Sequence, residues 1–229
     1  GYLDRTVKVK GDNQNVDLWN LNGKVAEYYR YLVYKVWNTE TNVPMMRLRA
    51  GSMVYVVPSE GIKANPRAVA ALEYGVGEVN RISGRLGVTF VLQTDGAPPS
   101  DGVVFQVYVD SPATNPDIVG AVAVTHRDLD TQGYIRGGKV IYNSDVVGGI
   151  ESAWIAAHEL GHALGFWHSS DENDLMDTGR RSNQFSGNEE YALAKMHARA
   201  PRNAWVDADP GTVGAASLSG AAHTETIVC

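Results

Sequence analysis

Three of the six histidines in this 229-residue chain, His158, His162 and His168, fall within eleven consecutive residues, and Glu159 directly follows the first. On an α-helix, residues four apart stand on one face, so His158 and His162 can aim two imidazoles at a single point. Glu159 projects one step round the helix, which suits it to hold a water beside a metal rather than to bind the metal itself. Gly165 stands where a helix that must stop and turn needs a left-handed residue free of Cβ cost, and that turn can return His168 toward the same point. Three neutral imidazoles with a fourth position open describe a catalytic zinc site, whereas a purely structural site closes all four positions.

Positioning such a helix requires a sheet, and the chain supplies one. Residues 53–57, closed by Pro58, read as a buried strand. Pro66 after Asn65 marks a capped helix start, and Val69, Leu72, Val76, Val79 and Ile82 recur every three or four positions until Gly84 or Gly87 stops them. Further strands are expected at 88–92, 103–109, 121–125 and 139–143; the 103–109 run is apolar apart from Gln106, as in a central parallel strand. A helix over about 151–164 then carries the histidine pair. Its Ala153, Ala157, Leu160 and Leu164 form a stripe that can face the sheet, leaving the histidines on the opposite side. A last helix over about 188–199 ends at Pro201.

The flanks say less. Two short alternating pieces lie between residues 7 and 18, and the aromatic and basic stretch 28–37 reads as packing onto the domain rather than as a stack for nucleic-acid bases. Residues 211–222 are rich in Gly, Ala and Ser and are expected to be loosely ordered. The expected organisation is a lead-in of open role (1–50), a catalytic domain (51–205) and a flexible C-terminal tail (206–229).

Composition narrows the function. The length suits one sizeable core, and no run of eighteen apolar residues is present to span a membrane. A net charge of −6, with no basic cluster beyond Arg180 and Arg181, argues against a nucleic-acid partner. The sole cysteine, Cys229, is the last residue of the sequence, so no intrachain disulfide is expected. The first residues lack a basic start and an apolar signal core. A secreted or extracytoplasmic protein with its signal removed is expected, a cytoplasmic one being the alternative, and a monomer in either case.

The spacing H-E-x-x-H-x-x-G-x-x-H over residues 158–168 resembles the metzincin signature. The order of elements over roughly 50–205 is similar to a metzincin catalytic domain, so the resemblance extends beyond the motif. It implies an α+β fold with an α/β-like upper subdomain: a twisted, mostly parallel five-stranded sheet, a backing helix and the active-site helix, above an irregular lower subdomain with a C-terminal helix. It also implies that the fourth strand runs antiparallel on the cleft edge and that substrate pairs with it, near Gly120, Ala121, Val122 and Ala123. Met176, eight residues after His168, resembles the family's Met-turn, packed under the histidines rather than bound to metal. Thr178 stands where some members carry a tyrosine that reaches the metal, so no such ligand is expected. Ser169 after the third histidine favours a matrixin-like subgroup, although residues 1–60 lack the cysteine with which a matrixin pro-segment occupies the zinc.

Other residues invite chemistry and have plainer readings. His126 is expected to be solvated or hydrogen-bonded. Asp128 with Asp130, or Asp171 with Asp174 and Asp177, could offer oxygens to Ca2+, but neither set has the spacing of a calcium loop. Cys229 could swing on a flexible tail to the open zinc position and silence it, against the reading of an incidental thiol.

The expected function is a zinc endopeptidase acting on proteins or peptides, with Zn2+ on His158, His162 and His168, and Glu159 as general base and then acid around a zinc-activated water. The alternative is a non-catalytic zinc-binding or adhesion module that keeps the helix, and the intact Glu159 counts against it.

Overall fold

The computed structural model describes residues 32–33, 45–179, 182–199, 201–202 and 222–229. Along the chain run β1 (Met53–Pro58), α1 (Glu60–Lys63), α2 (Pro66–Ser83), β2 (Thr89–Leu92), β3 (Val103–Asp110), β4 (Ala123–Leu129), β5 (Ile135–Asn143), α3 (Ala153–Leu164), α4 (Gly187–His197) and β6 (His223–Val228). The sheet order is β2-β1-β3-β5-β4-β6. Pairings of β1 with β2, β1 with β3 and β3 with β5 are parallel, and β4 runs antiparallel to both neighbours.

Local chemistry explains these choices. Asn65 accepts hydrogen bonds from the backbone N–H groups of Arg67 and Ala68, and Pro66 takes a first-turn position that needs no donor, so α2 starts where expected. Between β4 and β5, Asp130 Oδ1 accepts the N–H groups of Gln132 and Tyr134, and Gly133 takes the left-handed φ of 83°. This tight turn reverses the chain and makes the pair antiparallel.

Helix α3 packs against α2 and against β4 and β5 of the sheet. A Cβ on Gly75 would lie 2.9 Å from the Ala156 carbonyl carbon, so the bare glycine lets the two helix backbones nearly touch. Every residue of α3 from Trp154 to Leu164 is buried. The expected one-sided stripe is therefore corrected: Met176 and Phe185 close over the helix at Gly161.

The sheet has a sixth member beyond the five expected strands. Residues 223–228, read as part of a flexible tail, pair along the full length of β4, from Val124 opposite Val228 to Leu129 opposite His223. Thus β4 is not the sheet edge in this form, and it extends to Leu129, four residues past the expected 121–125. The polar residues that seemed to end it are partnered: Arg127 is fully buried with Glu225. Strand β5 likewise starts early, at Ile135, because Gly137 and Gly138 admit the backbones of β3 and β4 at close range.

Part of the lead-in is built into the main core: Leu32, Val33, Met45, Met46 and Leu48 are all buried there. The short strands expected between residues 7 and 18, the rest of the 28–37 stretch and the loose segment 211–221 lie outside the described residues.

Candidate metal centre

The histidine cluster is fixed by its second ring nitrogens. His158 Nδ1 lies 2.9 Å from Leu175 O, and His162 Nδ1 lies 2.8 Å from Phe166 O. A carbonyl oxygen only accepts, so each Nδ1 carries the proton and each Nε2 is left as the lone-pair nitrogen. Gly165, at φ 122°, ends α3 where a Cβ would strike Met46 O, and the turned chain carries His168 back to the pair. The ring centroids of the three histidines stand 4.8, 5.0 and 5.4 Å apart. His162 is held neutral, far below the ordinary histidine range, by burial and by the neighbouring His158 and His168.

One side chain foreseen only as a remote possibility joins them. Cys229 Sγ lies 3.0 Å from His162 Nε2 and 3.4 Å from His168 Nε2. The ligand atoms of His158, His162, His168 and Cys229 all fall within 4.8 Å of one another. Tetrahedral N and S ligands of zinc stand roughly 3.3–3.8 Å apart, so this donor set fits the ion. In the protein without metal, burial and the adjacent Glu159 raise the Cys229 thiol well above its usual range.

Glu159 lies against the same cluster. Thr125 Oγ1 donates to its Oε2 at 2.5 Å. Burial raises the carboxyl to about 7, while hydrogen bonds from Thr125 and Cys229 pull it down. Thr125 was not foreseen as a site residue; the signal for it was its place two residues beyond the predicted substrate stretch on the same strand.

Met176 is fully buried, and its Sδ occupies the space a side chain at residue 161 would need. The turn that carries it hangs on a carboxylate the sequence reading missed. Glu189 accepts hydrogen bonds from the backbone N–H groups of Leu175, Met176 and Ser186 at 3.1, 2.8 and 2.7 Å. It is also the N3 partner in the capping box of Ser186. The Ser-x-x-Glu spacing over 186–189 is readable in sequence and would have found it. Burial and the nearby Asp174 carboxylate push Glu189 upward from its ordinary range.

The four residues marked for substrate divide. Val122 N–H and Ala123 O bond to the backbone of Cys229, at 2.6 and 3.0 Å. Ala121 O instead accepts from the Asn143 side chain at 2.7 Å, which braces the approach to β4, and Gly120 provides a left-handed turn at φ 77°. The acids weighed for calcium serve turns and caps: Asp174 takes the hydroxyls of Ser169 and Ser186, Asp171 the Asn173 N–H and Asp177 the Gly179 N–H. Asp128 takes Thr224 Oγ1, and Asp130 is the β4–β5 turn acid. His126 pairs with Thr226 Oγ1 at 3.2 Å and Asp117 at 3.5 Å.

The arrangement is a buried three-imidazole cradle beside the Glu159 carboxylate of α3, which Thr125 of β4 holds by a hydrogen bond, and a search of curated proteins returned no significant match to the chain. The family model for matrixin matches residues 111–195, a span holding all three histidines, Glu159, Met176 and Glu189. On a mostly parallel sheet with its helices, that match supports a matrixin-like metallopeptidase of the metzincin kind.

Proposed function

We propose that this chain is a zinc-dependent endopeptidase, with His158, His162 and His168 holding the ion through Nε2. The observation that carries the reading is the convergence of three imidazoles, two with their proton locked on Nδ1, beside the buried Glu159. Zinc held there supplies a Lewis acid that acidifies water and polarises a carbonyl. Glu159 accepts the proton of the attacking water as its oxygen bonds to the carbonyl carbon, and returns that proton to the amine nitrogen as the C–N bond breaks. Thr125 aims the carboxylate by its hydrogen bond. Val122 N–H and Ala123 O offer an extended peptide one donor and one acceptor, so substrate adds to β4 as a strand. The setting we propose is a monomer acting on proteins or peptides outside the cytoplasm. Among the described residues no helix is long and apolar enough to cross a membrane.

One observation favours a second reading. Cys229 completes four protein donors, the closed set typical of zinc sites that only support a fold, which suits a non-catalytic binding module. A fluorogenic peptide library incubated with the full chain and with its Cys229→Ala form separates the two. The endopeptidase reading expects cleavage that stops with a chelator and returns with added zinc. Absence of cleavage by both forms, or cleavage indifferent to the chelator, would sink it.

A further inference from the structure

Strand β6 lies where an added peptide strand belongs. It runs antiparallel to β4 in unbroken register from His223 to Val228, and Cys229 continues the ladder with its N–H on Ala123 O and its carbonyl on Val122 N–H. From Thr224 onward burial alternates with the period of a strand: Glu225 and Ile227 are buried toward α3, while Thr224, Thr226 and Val228 are exposed; His223, at the start of the strand, is exposed as well. The inward series ends with Cys229 Sγ among the histidine nitrogens, next to Glu159.

Three side-chain contacts to β4 hold this strand beyond its backbone ladder, one of them between Thr226 Oγ1 and His126 Nδ1 at 3.2 Å. Glu225 Oε2 meets Arg127 Nη2 at 2.5 Å inside the protein. Arg127 is itself pinned under the metal cradle, donating to His162 O and Phe166 O at 3.2 and 3.3 Å and lying over the Trp167 ring. On the open face Thr224 Oγ1 donates to Asp128. A cation this buried calls for a carboxylate partner, so the Arg127 position selects an acidic side chain in whatever strand lies on β4.

We propose that residues 222–229 act as a built-in pseudosubstrate, lying in the peptide groove along β4 with Cys229 as the fourth ligand of the metal, and so close the site. The inference rests on the endopeptidase reading for the identity of the groove. The groove's ligand class follows from its occupant: an extended peptide with a carboxylate on Arg127, four residues before the residue at the metal. Opening requires the strand to leave as a unit, because backbone ladder, ion pair and thiolate all belong to one short segment.

The test uses the full chain, stripped of metal and reloaded with Co2+, in wild-type, Cys229→Ser and Cys229→Ala forms. The wild type is expected to show the near-ultraviolet thiolate-to-cobalt charge-transfer band, and both variants to lack it while still holding cobalt. With zinc, Cys229→Ala is expected to cleave a peptide pool at least about tenfold faster than wild type, as when nine-tenths of a population is released from a closed state. Glu225→Gln keeps the thiol but removes the negative charge that faces Arg127, and its rate is expected to fall between the two. Cobalt bound to the wild type without the band overturns the proposal. So does the band accompanied by equal cleavage from wild type and Cys229→Ala. The band with no cleavage by any form upholds ligation by Cys229 and counts against the endopeptidase reading instead.

Discussion

Replacing Glu159 with alanine is expected to leave zinc bound and to lower peptide cleavage by about 10²–10⁴-fold, the usual contribution of a general acid–base group. Glu159 is not among the four clustered ligands, so its loss removes no donor from the ion. The carboxyl is 1 % exposed and hydrogen-bonded to Thr125, so the protein bears the cost of desolvating it. Folding is therefore expected to be no weaker in the variant, and Glu159→Gln, which keeps the shape and the acceptor for Thr125, is expected to be as inactive. The measurement is kcat/KM on one peptide at matched zinc content, with Cys229→Ala as background so that the site is open. Near-normal cleavage by either variant would remove Glu159 from the mechanism.

Glu189→Ala is expected to be the most damaging change away from the metal. Two carboxylate oxygens serve three backbone N–H groups, those of Leu175, Met176 and Ser186. Stranding a buried donor costs about 1–3 kcal/mol, so losing three acceptor bonds at once is expected to lower the unfolding free energy by about 3–5 kcal/mol, some of the loss being recovered by relaxation. That is a large share of the roughly 5–15 kcal/mol that holds a typical domain. The damage also reaches the metal. Leu175 O orients His158 through its Nδ1–H, and loss of such a support usually costs about 10–100-fold in affinity. Denaturant unfolding of the metal-free protein and zinc competition with a chromophoric chelator read the two effects separately. A shift under about 1 kcal/mol would show that Glu189 carries no structural burden.

Much of this was legible in the sequence because it rests on local rules. The spacing of His158, His162, Gly165 and His168 is a statement about one helix and its stop, and α2 was marked by Asn65, Pro66 and a run of apolar residues at helical spacing. What was not legible rests on contacts between distant segments. Arg127 read as a polar residue past the end of a strand and Glu225 as part of a flexible tail, yet they bury one another across 98 positions. The composition of residues 211–222 argued for a loose tail, and nothing local distinguished the short strand that follows it. Its weak preference is overridden by the open ladder of β4, which only the folded sheet displays. The same holds for Cys229, whose position at the histidines follows from strand register rather than from spacing.

The central claim is that His158, His162 and His168 form one zinc-binding centre. Calorimetric titration of zinc into the chelated full chain tests it most directly. One zinc per chain is predicted, with binding lost or greatly weakened in each of His158→Ala, His162→Ala and His168→Ala. Failure of the folded wild type to bind zinc, or binding that survives unchanged in all three variants, would contradict the account.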